Sequence, residues 1–149
     1  MRIVIKELTK KYGYKVAIKD VSCIIEPHIY GLMGANGCGK TTFIRCILNI
    51  IHYNKGSILF YKNNEEIKLN NIKVGYLPQT FDVFKELTVY EQLEYYYILK
   101  KYDKSHAREE IIRVLSLVNL SEYINKKCSA LSGGMVRRVG IAQALLGNP

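Results

Sequence analysis

The sequence predicts an α/β fold in which a β-rich N-terminal part precedes a helical block. Three observations predict it. Short segments rich in isoleucine and valine fill the first part of the chain, and a glycine-rich stretch joins one of them to an amphipathic helix. From Thr88 onward, apolar residues recur at helical spacing instead. The 149 residues suit a single ordinary domain with its own core.

The predicted strands are short and bounded by polar or glycine-containing stretches. A polar turn is expected at Asn63-Asn64, between two of the later segments. The segments that predict strands are Ile3–Leu8, Val21–Ile25, Ile29–Met33, Ser57–Tyr61 and Val74–Leu77.

Four helices are predicted. Thr88, with Glu91 three residues later, is typical of a capping box at the start of the second helix. The predicted ranges are Lys40–Ile51, Val89–Tyr102, Ser105–Val118 and a last helix from near Ser132 to Leu146.

Composition narrows the class of protein without identifying it. No apolar run approaches the roughly 18 residues that span a bilayer, and charge interrupts the N-terminus too early for a signal peptide. We therefore expect a cytoplasmic location. The net charge of +9 is high, but the basic residues are scattered rather than gathered into a patch with aromatic residues, so no nucleic acid is expected as a partner.

The glycine-rich stretch carries the chemistry. Gly34 to Thr41 matches G-x-x-x-x-G-K-[ST], with a predicted strand before it and a helix after it. Glycines let several backbone N–H groups turn toward one anion, and the following helix adds its positive N-terminal end. Lys40 is expected to reach the β- and γ-phosphates of a nucleoside triphosphate, and the Thr41 hydroxyl to ligate Mg²⁺. The predicted nucleotide-binding residues are Gly34, Ala35, Asn36, Gly37, Cys38, Gly39, Lys40, Thr41 and Thr42.

This loop alone suits kinases, GTPases and ATPases, and three further segments distinguish among them. Leu131-Ser132-Gly133-Gly134-Met135 resembles the signature motif of ABC-type ATPases, Gly75–Gln79 resembles their Q-loop, and Lys11-Tyr12-Gly13 resembles their A-loop. The segments occur in the order typical of that family. The chain is therefore identified as resembling the ATP-binding domain of ABC transporters, a P-loop NTPase fold with an N-terminal antiparallel β part and a helical subdomain. If the chain were a small-molecule kinase, the signature-like segment would have no known function.

The resemblance implies roles for matching positions. Tyr12 would stack on adenine with Val16 nearby. Gln79 would touch Mg²⁺ and the attacking water, so Lys40 and Gln79 are the implied catalytic residues, with Thr41 and Gln79 at the metal. ATP and Mg²⁺ are the implied cofactors.

The resemblance also implies partners. Ser132, Gly133 and Gly134 would close over the ATP held by a second ATP-binding domain in a head-to-tail dimer. A helix cap without any ligand is the alternative interpretation of these three residues. Transmembrane permease subunits would complete the assembly at the inner face of the cell membrane.

In the family, a strand ending in Asp, a catalytic Glu and a switch His follow the signature helix. Here no carboxylate occurs after Glu122, and His28, His52 and His106 all precede the signature. We therefore expect residues 1–149 to be the N-terminal portion of a single ATP-binding domain. Its helical subdomain lies near 88–130, its core lacks a C-terminal part, and the chain ends before the Walker B motif. We expect this chain alone to bind nucleotide weakly and to hydrolyse it negligibly.

Two interpretations of the whole protein stay open. The first is the energy-coupling subunit of an ABC transporter, with the L-S-G-G-M pattern favouring export. The second is a soluble ABC-class ATPase that acts on nucleic acid or ribosomes, which would suit the charge of +9. Only 51 residues separate Gln79 from Leu131, which leaves no room for the long coiled-coil arm of some such proteins.

Overall fold

The computed structural model describes all 149 residues and divides them into two compact units, Met1–Ile72 and Lys73–Pro149. Each unit has a hydrophobic core of its own. That the whole chain is one domain with a helical subdomain near 88–130 stays a prediction.

The first unit is built on an antiparallel sheet, as the sequence predicts. Its four strands lie in the order β2-β1-β3-β4. The loop at Asn63-Asn64 closes the β3–β4 hairpin with φ of 52° and 66°, the left-handed conformation that a two-residue hairpin turn requires and asparagine tolerates. The strand ranges are β1 Arg2–Tyr12, β2 Lys15–Ile25, β3 Lys55–Lys62 and β4 Glu65–Ile67.

One helix, α1 (Lys40–Ile47), belongs to this unit. Its buried Cys46 joins Ile5, Leu8 and Ile18 in the core of the unit. The helix is shorter than the predicted Lys40–Ile51 because Asn49 adopts φ of 52°, and the N–H of Ile50 then turns back to the carbonyl of Arg45 at 2.9 Å. This geometry is a Schellman motif, which ends a helix by satisfying its last carbonyls.

Two predicted strands are wrong. Ile29–Met33 and Val74–Leu77 form no strand. All strand pairing is antiparallel and confined to β1–β4, and the one further pairing is an isolated antiparallel bridge between Thr88 and Lys127. An extended segment becomes a strand only when a neighbour pairs with its N–H and C=O groups, and neither segment has such a neighbour here. Ile29 and Met33 are 102% and 91% exposed.

The second unit is helical, as predicted, and contains α2 (Val89–Leu99), α3 (Ala107–Leu117) and α4 (Gly133–Leu145). The predicted capping box is confirmed, since the Thr88 hydroxyl accepts from the Glu91 N–H and the Glu91 carboxylate accepts from the Thr88 N–H. Helix α2 ends before the predicted Tyr102, because Lys101 turns to φ of 58°. No helix in the chain combines the length and apolar character needed to cross a membrane. Residues that pack the core include Leu93, Ile111, Leu115, Val139 and Leu146.

The C-terminal end of α4 is held by charged groups from α3 and the α2 C-cap. Lys100 Nζ donates to the carbonyls of Gln143 and Leu146, and burial lowers the pKa of Lys100. Glu110 accepts from Arg113 and from the N–H of Gly147, both at 2.7 Å. The hydrogen bond from Arg113 is the main reason that the pKa of Glu110 lies below its ordinary value.

Candidate nucleotide-binding site

The glycine-rich loop has a backbone that only glycine adopts easily. Gly37 has φ of 79° and Gly39 has φ of 99°, both in the region that side chains disfavour. A Cβ placed on Gly39 would lie 2.4 Å from the carbonyl oxygen of Ala17, so the loop also passes too close to β2 for any side chain there. The spacing of glycines seen in the sequence therefore has a structural reason at these two positions.

The loop leads directly into the N-terminus of α1, which is open to a ligand. The first helical hydrogen bond runs from the N–H of Phe43 to the carbonyl of Gly39, so the N–H groups of Gly39 to Thr42 have no partner within the helix. No side chain caps this end, and no acidic residue lies in the first turn. An uncapped N-terminus of this kind attracts anions through its N–H groups and its dipole.

Lys40 places a positive charge over the same loop. Its ammonium donates to the carbonyls of Gly34 at 2.6 Å and Ala35 at 2.8 Å, and lies 3.9 Å from the sulfur of Cys38. None of these partners is charged, so the ammonium keeps its full attraction for an anion. N–H donors, a lysine and no nearby carboxylate are together the donor set that fits a triphosphate.

Within the loop, the fit to Mg²⁺ rests on Thr41, whose hydroxyl is the oxygen that the motif assigns to the metal. No group of three or more His, Cys, Asp or Glu side chains in the chain is arranged to hold a metal ion. A single protein ligand is compatible with Mg²⁺, which usually takes its other ligands from phosphates and water.

The β1–β2 hairpin exposes the side chains predicted to meet the adenine. Tyr12 is 48% exposed and Val16 is 44% exposed. Strand pairing sets Val16 opposite Lys11 and Tyr12 opposite Lys15, so both lie at the turn end of the hairpin. Lys10 Nζ lies 4.7 Å from the centre of the Tyr12 ring, an arrangement typical of a cation–π contact.

Gln79 and the signature-like segment belong to the second unit. Ser132 is the N-cap of α4, and its hydroxyl accepts from the N–H of Met135 at 3.3 Å. Nothing lies within 4 Å of a Cβ placed on Gly133 or Gly134, so the backbone there is open on that side. The cap and the open glycine backbone suit both interpretations of Ser132, as a simple helix cap and as part of an anion site.

The structure thus places the glycine-rich loop, Tyr12 and Val16 in the first unit, and Gln79 and Ser132 in the second. One contact in the second unit was not predicted from the sequence. Arg137 of α4 donates to the main-chain carbonyls of Pro78 and Gln79, at 3.1 and 3.3 Å. Helical spacing from Ser132 would have put Arg137 on a helix face, but no local signal tells which distant segment that face meets.

An antiparallel β part, a glycine-rich loop that opens a helix, and a capped helix at the signature-like segment define an ABC-type ATPase fold. The dimeric structure of a bacterial ABC transporter cassette superposes with a TM-score of 0.75 at 29% identity, over 99% of this chain and 70% of that one. The predicted fold class is confirmed.

Comparison with known sequences supports the same family. The profile described as ABC transporter matches residues 18–149, so the chain belongs to the ABC transporter family. The methionine import ATP-binding protein MetN of Clostridioides difficile (strain 630) is 35% identical over 156 residues, which cover 99% of this chain and 48% of MetN. The spermidine/putrescine import ATP-binding protein PotA of Mycoplasma capricolum is 35% identical over 147 residues, which cover 97% of this chain and 42% of PotA. The chain thus spans about half or less of these relatives.

Proposed function

We propose that this chain binds Mg-ATP as part of the ATP-binding subunit of an ABC transporter, which couples ATP binding and hydrolysis to transport. The observation that carries the proposal is the loop at Gly34–Thr42. Its glycine backbone, the uncapped start of α1 and an ammonium without any charged partner converge on one place. Each of these three features attracts phosphate by itself. Because all three act at the same place, phosphate binding is the function that this geometry favours.

Each residue of the proposed site has a distinct task. The unpartnered N–H groups of Gly39 to Thr42 hold the phosphates, and Lys40 exchanges its two carbonyl acceptors for β- and γ-phosphate oxygens. Thr41 binds Mg²⁺, which when bound neutralises part of the phosphate charge. Tyr12 stacks on the adenine, a contact worth about 1–3 kcal/mol in comparable base-binding sites.

Calorimetry with Mg-ATP tests the site. Replacing Lys40 by Ala removes a charged donor whose hydrogen bonds contribute about 1.5–3 kcal/mol, so affinity should fall roughly 10- to 100-fold. Lys62→Ala is the matched control, because Lys62 is an exposed lysine at the end of β3, away from the loop in sequence. Absence of Mg-ATP binding, or equal binding by Lys40→Ala and the parent chain, would refute the proposal.

We also propose partners. Ser132, Gly133 and Gly134 contribute to a nucleotide held by a second ATP-binding domain in a head-to-tail dimer, and the helices of the second unit bind transmembrane permease subunits at the inner face of the membrane. Support comes from the open backbone at both glycines and from the dimeric form of the cassette to which the chain is similar. Recovery of membrane subunits with the purified protein is the expected result. Recovery of ribosomes or DNA instead would favour the soluble ABC-class alternative.

The direction of transport has two candidates. The L-S-G-G-M pattern favours export, whereas the names of MetN and PotA, both import proteins, favour import. Transport into or out of vesicles that carry the complete assembly would decide between them.

We infer further that residues 1–149 by themselves turn over ATP negligibly. Hydrolysis needs a group that orients the attacking water. The resemblance implies an Asp and a catalytic Glu after the signature helix, whereas the last carboxylate side chain within residues 1–149 is Glu122, which precedes the signature. A steady-state ATPase assay on the chain should find almost no turnover. Robust turnover that Lys40→Ala abolishes would contradict this inference.

A further inference from the structure

One face of α4 runs along the extended segment Gly75–Phe81, and this contact has no assigned purpose. The face consists of Arg137, Gly140 and Ala144, whose spacing of three and four residues puts them on one side of a helix. At its N-terminal end, Arg137 Nη1 donates to the carbonyls of Pro78 and Gln79, at 3.1 and 3.3 Å.

Farther along, the helix and the segment lie so close together that neither Gly140 nor Gly75 has room for a side chain. Gly140 is buried, and a Cβ placed on it would lie 2.7 Å from a methyl group of Leu77 and 2.8 Å from the ring of Phe81. A Cβ on Gly75 would lie 2.4 Å from the carbonyl oxygen of Ala144. The segment is therefore packed along two turns of α4.

Arg137 makes the only hydrogen bonds to the main chain of this segment. Residues 74–81 form no strand, and none of their N–H or C=O groups bonds another main-chain group. Among all side chains, only Arg137 bonds the backbone of this segment. The side chains of Leu77 and Phe81 pack against Gly140, while the guanidinium supplies the hydrogen bonds to the backbone at Pro78 and Gln79.

We propose that Arg137 is a positioning residue for Gln79, holding that residue in place relative to the first turn of α4. The proposal rests on the proposed function and, within it, on the contact with Mg²⁺ and the attacking water that the family resemblance implies for Gln79. A guanidinium suits the task since it stays charged and its Nη1 carries two N–H donors, which reach the carbonyls of Pro78 and Gln79. Arg137 itself touches neither nucleotide nor metal in this proposal.

Nuclear magnetic relaxation of ¹⁵N-labelled chain tests the positioning without any nucleotide. In Arg137→Ala, backbone order parameters at Gln79 and Thr80 should fall from about 0.85, typical of rigid backbone, to below about 0.6. Arg108→Ala removes an equal charge from an exposed position on α3 and should leave them unchanged. Arg137→Lys, which keeps a charged donor, should retain most of the order. Unchanged order parameters in Arg137→Ala would overturn the proposal.

The consequence for the site is measured as ATP affinity with Mg²⁺ and with EDTA. Arg137→Ala should reduce the gain in affinity that Mg²⁺ confers by roughly three- to tenfold, as the loss of a modest exposed hydrogen bond implies, and should leave the Mg²⁺-free affinity unchanged. Equal losses of ATP affinity with Mg²⁺ and with EDTA would indicate that Arg137 has a merely structural role, and would also overturn the proposal. If the parent chain binds no ATP, the proposed function fails, while the order parameters still decide whether Arg137 holds the segment.

Discussion

Gly39→Ala is the substitution whose effect the structure specifies most closely. Gly39 is both conformationally strained for any other residue, at φ of 99°, and pressed against β2. Gly37 offers a matched comparison two residues earlier, because it has φ of 79° but nothing within 4 Å of its missing Cβ. The pair therefore separates the cost of the backbone conformation from the cost of the contact.

The magnitudes follow from these two terms. Placing alanine in a left-handed conformation costs about 1–2 kcal/mol, and that is the full expected loss for Gly37→Ala. In Gly39→Ala the new Cβ would also lie 2.4 Å from the oxygen of Ala17, a main-chain atom that cannot swing aside. Forced displacement in a packed region adds about 1–3 kcal/mol, so the total for Gly39→Ala is about 2–5 kcal/mol.

Urea unfolding of both variants, followed by far-ultraviolet circular dichroism without nucleotide, measures the two free energies of unfolding. A larger loss for Gly39→Ala than for Gly37→Ala is expected. Equal losses would show that β2 does not press on the loop at Gly39, and the argument for glycine at this position would then fail.

Two further predictions concern Glu110 and Cys38. Because the folded-state pKa of Glu110 is lowered, mainly by Arg113, its contribution to stability is complete above its ordinary pKa near 4.5 and is lost as pH falls through the folded value. Glu110→Gln should therefore lower the free energy of unfolding by about 1 kcal/mol at pH 7 and progressively less at acid pH, and a constant difference across that range would contradict the assignment. Alkylation of the exposed Cys38, 3.9 Å from the ammonium of Lys40, should block nucleotide binding, and ATP should protect the thiol. Normal nucleotide binding by the alkylated chain would contradict this prediction. Cys38→Ala is the control, because it should bind nucleotide and should not react with the alkylating reagent.

Features whose cause lies within a few residues could be predicted from the sequence. The capping box at Thr88 and Glu91, the turn at Asn63-Asn64 and the helix that follows the glycine-rich loop all depend on side chains or backbone conformations a few positions apart. The family resemblance drew on the same kind of local pattern, and the match over residues 18–149 confirms it.

Element ends and strand pairings were less predictable, because each depends on more than its own residues. Apolar composition predicted a strand at Ile29–Met33, but a strand also needs a neighbour with which to exchange hydrogen bonds. Apolar periodicity predicted that α1 would continue to Ile51. The left-handed conformation of Asn49 ends the helix at Ile47, four residues earlier.

The sequence by itself determined which residues form the glycine-rich loop and the donors that it offers, since the order of glycines, Lys40 and Thr41 is fixed by consecutive positions. Only the tertiary structure decided that Gly39 lies against Ala17 and that Arg137 reaches the carbonyls of Pro78 and Gln79. Arg137 and Gln79 are 58 residues apart along the chain. Contacts over such separations arise from the packing of whole elements, and no short stretch of sequence encodes that packing.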